Sequence, residues 1–316
     1  MGESSASVDR HWSVALGLLA LILLGGIFLA EGSMGQSAES LSRLIELGTL
    51  EKLCGGFLFT EGPLWNREGY VIFTDIPANR INRWEPEKGS SVFREPSQNS
   101  NGLSYDREGR LLACEHGSRS VTRTLTDGKI ETAAELFEGK RLNSPNDVTV
   151  ASSGRIYFTD PPFGVAEGDR ELDFAGVYSV GADGEVRLEN RGMNRPNGLA
   201  FSPDESVLYV DDTVDMLIKA FPVGAEGRLG EPSIFARLDG AGADGMKVDT
   251  EGHVFVAGPR GVWIWDKAGA WIGLLETPEQ PSNCAFGGVD GKTLFITART
   301  SLYRVRTKVV GIYPQR

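Results

Sequence analysis

Six polar residues recur in phase along this chain: Glu61, Asn101, Asn146, Asn197, Asp244 and Asn283. Each stands second in one of the segments TEGPLWNREGYVIFTD, SNGLSYDREGRLLACE, PNDVTVASSGRIYFTD, PNGLAFSPDESVLYVDD, ADGMKVDTEGHVFVAG and SNCAFGGVDGKTLFITAR. The intervals between them are 40, 45, 51, 47 and 39 residues. Each precedes a hydrophobic strand, where an unpaired buried polar group is costly. Single Asn and Asp residues often mark turns. Six in phase, including Glu61, a poor turn former, point instead to side chains that converge. Two carboxylates and four amides form an oxygen-rich ring, and hard cations such as calcium take oxygen ligands. Asp147, beside Asn146 in NSPNDV, would brace that ring.

The elements that must position these residues follow from the same register. Eight residues after the polar position comes glycine in five of six segments, Gly69, Gly109, Gly154, Gly252 and Gly291, as a hairpin turn requires. About fourteen residues after it the returning strand ends, at Asp75, Glu115, Asp160, Asp212, Gly258 or near Arg299. A second hairpin follows, as in RINRWEPEKGSSVF and GVYSVGADGEVRL. Repeats of this length with four strands each predict an all-β, six-bladed β-propeller, preceded by an N-terminal hydrophobic leader or anchor. The first strand of each blade then lines a central channel, and the six polar residues meet at one end of it. The last unit lacks a fourth strand. Ile45 to Cys54 is the natural donor, because an open blade edge would stay unpaired. Blade three has the longest interval, with PPFGVAEGDRELDF inserted after Asp160. Phe163 there belongs either to a lid or to a solvated loop.

Bulk properties exclude several functions. The 316 residues carry a formal net charge of -11, which leaves no basic surface for nucleic acid. Three histidines, His11, His116 and His253, rule out a multi-histidine zinc site. Cys54, Cys114 and Cys284 are odd in number and widely spaced, and read as free buried thiols. Val14 to Ala30 is uncharged and follows Arg10 and His11. A cleaved leader and a retained anchor both fit it. Either implies export to a periplasm, with a membrane tether in the second case. Residues 1–40 are therefore expected to be leader or anchor and linker, the linker from Glu31 to Ser40. Residues 41–316 are expected to form the catalytic propeller.

The motifs FTEGPLW, NGLSYDREGRLLACEHG, RLNSPNDV, YFTDPPFG, RPNGLAFSPD, GADGMKVD and NCAFGG resemble the senescence marker protein, gluconolactonase and luciferin-regenerating enzyme family, bacterial gluconolactonases in particular. The resemblance spans roughly residues 46 to 310. It implies one catalytic divalent cation, commonly calcium, at the channel mouth, with Glu61, Asn146, Asn197 and Asp244 as ligands. It also implies that Asp244 serves as general base or nucleophile. The cation would polarise a lactone carbonyl, and Asp244 would orient or deprotonate the attacking water. A small-molecule sugar lactone, of the gluconolactone type, is the expected substrate.

Other residues fall at the same edge. Glu115 and His116 in CEHG, Asn101 and Asn283 in the ring, and Arg299 in TAR are candidate substrate contacts. Asp212 is expected to cap or brace its blade. The same metal site could serve aryl esters, other lactones or phosphotriesters. A propeller acting only as an interaction platform would not need a complete ring.

Overall fold

The computed structural model describes residues 38–240 and 242–313. The leader or anchor segment lies outside the described residues. Six four-stranded antiparallel sheets follow one another around a central shaft. Their inner strands are Thr60–Asn66, Ser100–Tyr105, Val148–Val150, Pro196–Phe201, Met246–Val248 and Pro281–Gly287. The propeller expectation is met, blade by blade.

The glycine at the first hairpin has positive φ in five blades: Gly69 97°, Gly109 76°, Gly154 86°, Gly252 92° and Gly291 68°. This conformation is nearly free of strain only without a Cβ. In blade four the position is Glu205, at φ 56°. Its carboxylate compensates by accepting from Ser152 N at 2.8 and 2.9 Å and from Ser152 Oγ at 2.6 Å, in the neighbouring blade.

Blades pack face to face through buried apolar side chains, and aromatic pairs join neighbours. Trp65 of blade one stacks on Phe295 of blade six with centroids 5.5 Å apart. Tyr157 of blade three meets Phe201 of blade four edge-on at 5.2 Å, and Phe255 of blade five meets Phe286 of blade six at 5.1 Å. Such pairs add about 1 kcal/mol each beyond their burial.

Blade six closes the ring. Its own strands end with Ser301–Arg306, and Glu51–Gly55 from the other end of the chain pairs antiparallel with that strand. An isolated bridge between Ile45 and Thr307 extends the seam. Glu279 fastens it. Its carboxylate accepts from Thr300 N (2.9 Å), Thr300 Oγ1 (2.8 Å), Ser301 Oγ (2.5 Å) and Tyr303 Oη (2.8 Å), and lies 3.2 Å from Lys52 Nζ on the closing strand. Residues 38–44 are helical, so the last three positions of the expected linker are not extended chain. Leu41 and Leu44 bury in the core of blades five and six. No described helix is long and apolar enough to cross a membrane.

Candidate active site

Each polar residue reaches the mouth of the shaft because the segment before its strand is anchored. The acid ending the second strand does this in three blades. Asp75 accepts from Leu58 N (3.1 Å) and Phe59 N (3.0 Å), Asp160 from Asn143 N (2.7 Å), and Asp212 from Asn194 N (2.6 Å) and Arg195 N (3.2 Å). Asp212 is thus the brace its sequence position suggested. Between blades, Thr74 Oγ1 donates to Asn101 O (3.1 Å) and Thr159 Oγ1 to Asn197 O (2.6 Å), locking each inner strand to its neighbour.

Around the ring, Asn283 Nδ2 donates to Glu61 Oε2 at 2.9 Å, and Asn197 Nδ2 donates to Asp244 Oδ1 at 2.9 Å. The Glu61 and Asp244 carboxylates lie within hydrogen-bonding reach of each other. Glu61, Asn197 and Asp244 therefore meet, although 183 positions separate the first from the last. Asn146 stands buried at the same level, just before the inner strand of blade three, and its side chain makes no hydrogen bond among the described residues. Asn101 Oδ1 is buried without a partner.

The electrostatics match this crowding. Burial raises the carboxyl of Glu61, and the charge of Asp147 adds to it. Burial raises Asp244 well above the usual range, with the charge of Glu61 second. Without a cation, two carboxylates this close, Glu61 buried and Asp244 only partly open, cannot both ionise comfortably. A hard cation would relieve the repulsion and use the amide oxygens left open. The residues fit such an ion by donor chemistry. Among the described residues no cluster of three or more His, Cys, Asp or Glu could hold a metal. The set here has two carboxylates, and amides supply the rest.

The other candidates divide. His116 borders the ring, with Asn101 Nδ2 3.4 Å from its Nε2. Burial pushes the imidazole down to about 4, so it is neutral at physiological pH and its Nε2 can accept that N–H. Gly164, in the inserted loop, packs on the ring, and a Cβ there would lie 2.7 Å from the His116 side chain. Arg299 stands exposed at the rim with its guanidinium 5.7 Å from the Phe59 ring centre. Asn283 holds Glu61. Glu115, by contrast, is committed to protein partners: Arg94 Nη2 from blade one (3.0 Å), Thr122 Oγ1 (2.7 Å) and Ser118 Oγ (2.7 Å) donate to its oxygens. This structure gives it a bracing part, not a place in the ring.

One residue escaped the sequence reading. Lys247 Nζ lies 3.9 Å from Asp147 Oδ2 and donates to Met246 O at 2.8 Å. Burial raises Asp147, and Lys247 is the first influence opposing that rise. Past this layer the shaft continues as a cavity of about 220 Å³ with a mixed lining, Leu64, Leu103 and Leu199 beside Arg107, Glu205 and Lys247. The three cysteines are free. Burial pushes Cys54 up to about 11 and Cys284 up to about 12, which makes them poor nucleophiles.

Comparison with known proteins agrees with this geometry. Residues 59–300 match the family model described as SMP-30/Gluconolactonase/LRE-like region. A gluconolactonase of Zymomonas mobilis is 33% identical over 312 residues, 89% of this chain and 87% of that one. The solved gluconolactonase of Xanthomonas campestris superposes with a TM-score of 0.79 at 33% identity, covering 85% of this chain and 92% of the other. A calcium-binding protein, regucalcin, of Agrobacterium tumefaciens shares the fold at 23% identity and a TM-score of 0.70, over 83% of this chain and 96% of its own. The chain belongs to the SMP-30/gluconolactonase/LRE-like family.

Proposed function

We propose that this protein hydrolyses a sugar lactone of the gluconolactone type to the open-chain aldonic acid, with a divalent cation, calcium by its oxygen donors, at the shaft mouth. The observation that carries this reading is the contact between Glu61 and Asp244, with Asn197 on Asp244. The gluconolactonases of Zymomonas mobilis and Xanthomonas campestris support the substrate class. The calcium-binding relative supports the ion.

Glu61, Asn197 and Asp244, with Asn146, would hold the cation, which when bound supplies an electrophile for the lactone carbonyl and a counter-charge for the two acids. Asp244, partly open to the shaft, holds the attacking water by hydrogen bonding and accepts its proton. Asn197 fixes the Asp244 carboxylate, and Asn283 fixes Glu61. Asn101 and neutral His116 offer the sugar a donor and an acceptor without a charge that would compete for the ion. The uncharged Val14 to Ala30 segment supports an exported, periplasm-facing protein.

The test is hydrolysis of a panel of aldonolactones, aryl esters and phosphotriesters by purified protein, stripped with chelator and then given calcium, zinc or magnesium. Lactone hydrolysis should disappear on stripping and return with calcium. Full activity in the stripped protein would remove the cation from the scheme. Faster turnover of esters or phosphotriesters than of any lactone would overturn the substrate class.

A further inference from the structure

We propose that the shaft mouth selects a lactone carrying an anionic group remote from its reactive carbonyl, and that one of two rim arginines, Arg195 or Arg299, recognises that group. The inference deepens the lactone-hydrolase reading and rests on it for the reacting end of the substrate.

Two arginine–phenylalanine pairs stand at the rim. The Arg195 guanidinium lies 5.3 Å from the Phe163 ring centre, and that of Arg299 lies 5.7 Å from Phe59. Arg195 is two residues before Asn197, and Phe59 is two residues before Glu61. In each pair, then, one partner comes from the segment leading into an inner strand. The other comes from the loop joining the second and third strands of the preceding blade. The first pair bridges blades three and four, and the second bridges blades six and one. These junctions are three blades apart in a ring of six, half a turn. The two guanidinium groups therefore flank the mouth from opposite sides, with arginine and aromatic exchanged between the two positions.

Both arginines are held but uncommitted. Asp212 fixes the backbone of Arg195, and Thr60 N donates to Arg299 O at 2.7 Å. Neither guanidinium meets a carboxylate or donates a side-chain hydrogen bond among the described residues. Arg94, Arg110, Arg123 and Arg306, by contrast, each pair with an acid. The neighbouring Asp215 is turned towards Asn194 Nδ2, at 3.5 Å. A guanidinium held near an aromatic ring, with no protein acceptor on its N–H groups, keeps free the edge that binds carboxylate or phosphate in bidentate fashion.

The floor of the site explains which way such a substrate would enter. Glu61, Asn197 and Asp244 meet at the base of the mouth and the two guanidinium groups stand at its rim, so a lactone ring that goes in leaves a remote anionic tail at the arginines. Hydroxyl groups already have Asn101 and His116. Two unpaired arginines in a chain of net charge -11 answer a different need. Aldonolactones with a carboxylate or a phosphate at the far end are the substrate class.

The experiment compares kcat/KM for 6-phosphogluconolactone, a glucarolactone and neutral gluconolactone, in the full-length protein and in Arg195→Ala and Arg299→Ala. The unmodified protein should favour one anionic lactone over the neutral one by about tenfold or more. One of the two substitutions should shrink that ratio by about tenfold or more, within the range for losing a hydrogen bond to a charged group, while the other leaves it near the parent's value. The conservative variant at the sensitive position, Arg195→Lys or Arg299→Lys, should recover only part of it, since lysine lacks the planar fork. The two anionic substrates separate phosphate from carboxylate recognition. Equal rates on anionic and neutral lactones, or substitutions that lower both alike, would overturn the proposal. Titration calorimetry with 6-phosphogluconate and gluconate needs no turnover. If no lactone is hydrolysed but 6-phosphogluconate still binds in an arginine-dependent way, the hydrolase reading fails and this one stands. No preference between the two acids overturns it.

Discussion

The closing seam of blade six and the mouth of the shaft use the same carboxylate chemistry to opposite ends. At the seam, Glu279 accepts from three hydroxyls and a backbone N–H beside Lys52. Burial works against its ionised form, but the bonds from Ser301, Thr300 and Tyr303 outweigh it and hold the carboxyl down to about 2. At the mouth, Glu61 accepts from Asn283 Nδ2 and Gly62 N and Asp244 from Asn197 Nδ2, and burial raises both, with the charge of Asp147 second at Glu61 and that of Glu61 second at Asp244. A fully satisfied polar network strengthens a fold; a partly satisfied one weakens it. The seam is built for closure. The mouth stores polar groups without protein partners, which is what a ligand-binding site requires.

The sharpest break between the two regions comes from Asp244→Asn. Hydrolysis should fall by roughly 10²–10⁴-fold, the scale of a lost general base. The chelator-stripped protein should melt no lower than the parent, because the change removes a like-charge contact. Calorimetric melting beside a lactone assay reads both. A variant that loses many degrees but keeps its rate would show that the mouth is structural, like the seam.

The regions should also differ in how stability follows pH. Asp160, buried beneath the mouth, gives one oxygen to Asn143 N and leaves the other without a partner. Burial pushes it up to about 7, against the Asn143 and Ser144 N–H groups and Arg119. A carboxyl raised on folding contributes stability that is complete below its unfolded value, near 3.8, and lost as pH rises through about 7. At about 1.4 kcal/mol per unit the full loss is about 4 kcal/mol. Asp160→Asn should therefore flatten the fall in urea-unfolding stability of the stripped protein between about pH 4 and 7. An unchanged slope would mean that Asp160 stays ionised and satisfied throughout.

Much of this arrangement was legible in the sequence. The eight-residue step from polar position to turn held in every blade, and even its exception, Glu205, keeps the positive φ. Repeats make propellers readable because each blade restates the same register. The convergence of Glu61, Asn197 and Asp244 followed from that register. What was not legible depends on side chains crossing between blades. Glu115 sits in phase with Asp75 and Asp160, yet Arg94 from the outer strand of blade one captures it at 3.0 Å. Lys247 looked like one more alternating strand residue, and only the ring geometry carries its ammonium to Asp147, 100 positions earlier. The inserted loop gave no sign that Gly164 would lie on His116. The closing strand was foreseen, but the carboxylate that fastens it was not, since Glu279 lies in the loop before the last inner strand and matches no repeat position.

That carboxylate supplies the smallest and cleanest effect. Glu279→Gln keeps the size of the side chain and one acceptor, but removes the charge that Ser301, Thr300, Tyr303 and Lys52 share. Hydrogen bonds to a charged group are worth about 2 kcal/mol, and the urea midpoint at pH 7 should fall accordingly, with lactone kcat/KM unchanged. The pH dependence must take the opposite sign to that of Asp160. A carboxyl depressed on folding gives stability that is present above its unfolded value, near 4.5, and lost as pH falls towards about 2. The parent should therefore lose stability over that acid window while the glutamine variant loses less. If the two curves run parallel in acid, the seam does not depend on Glu279 being ionised, and hydroxyl-to-amide bonding alone holds Glu51–Gly55 in place.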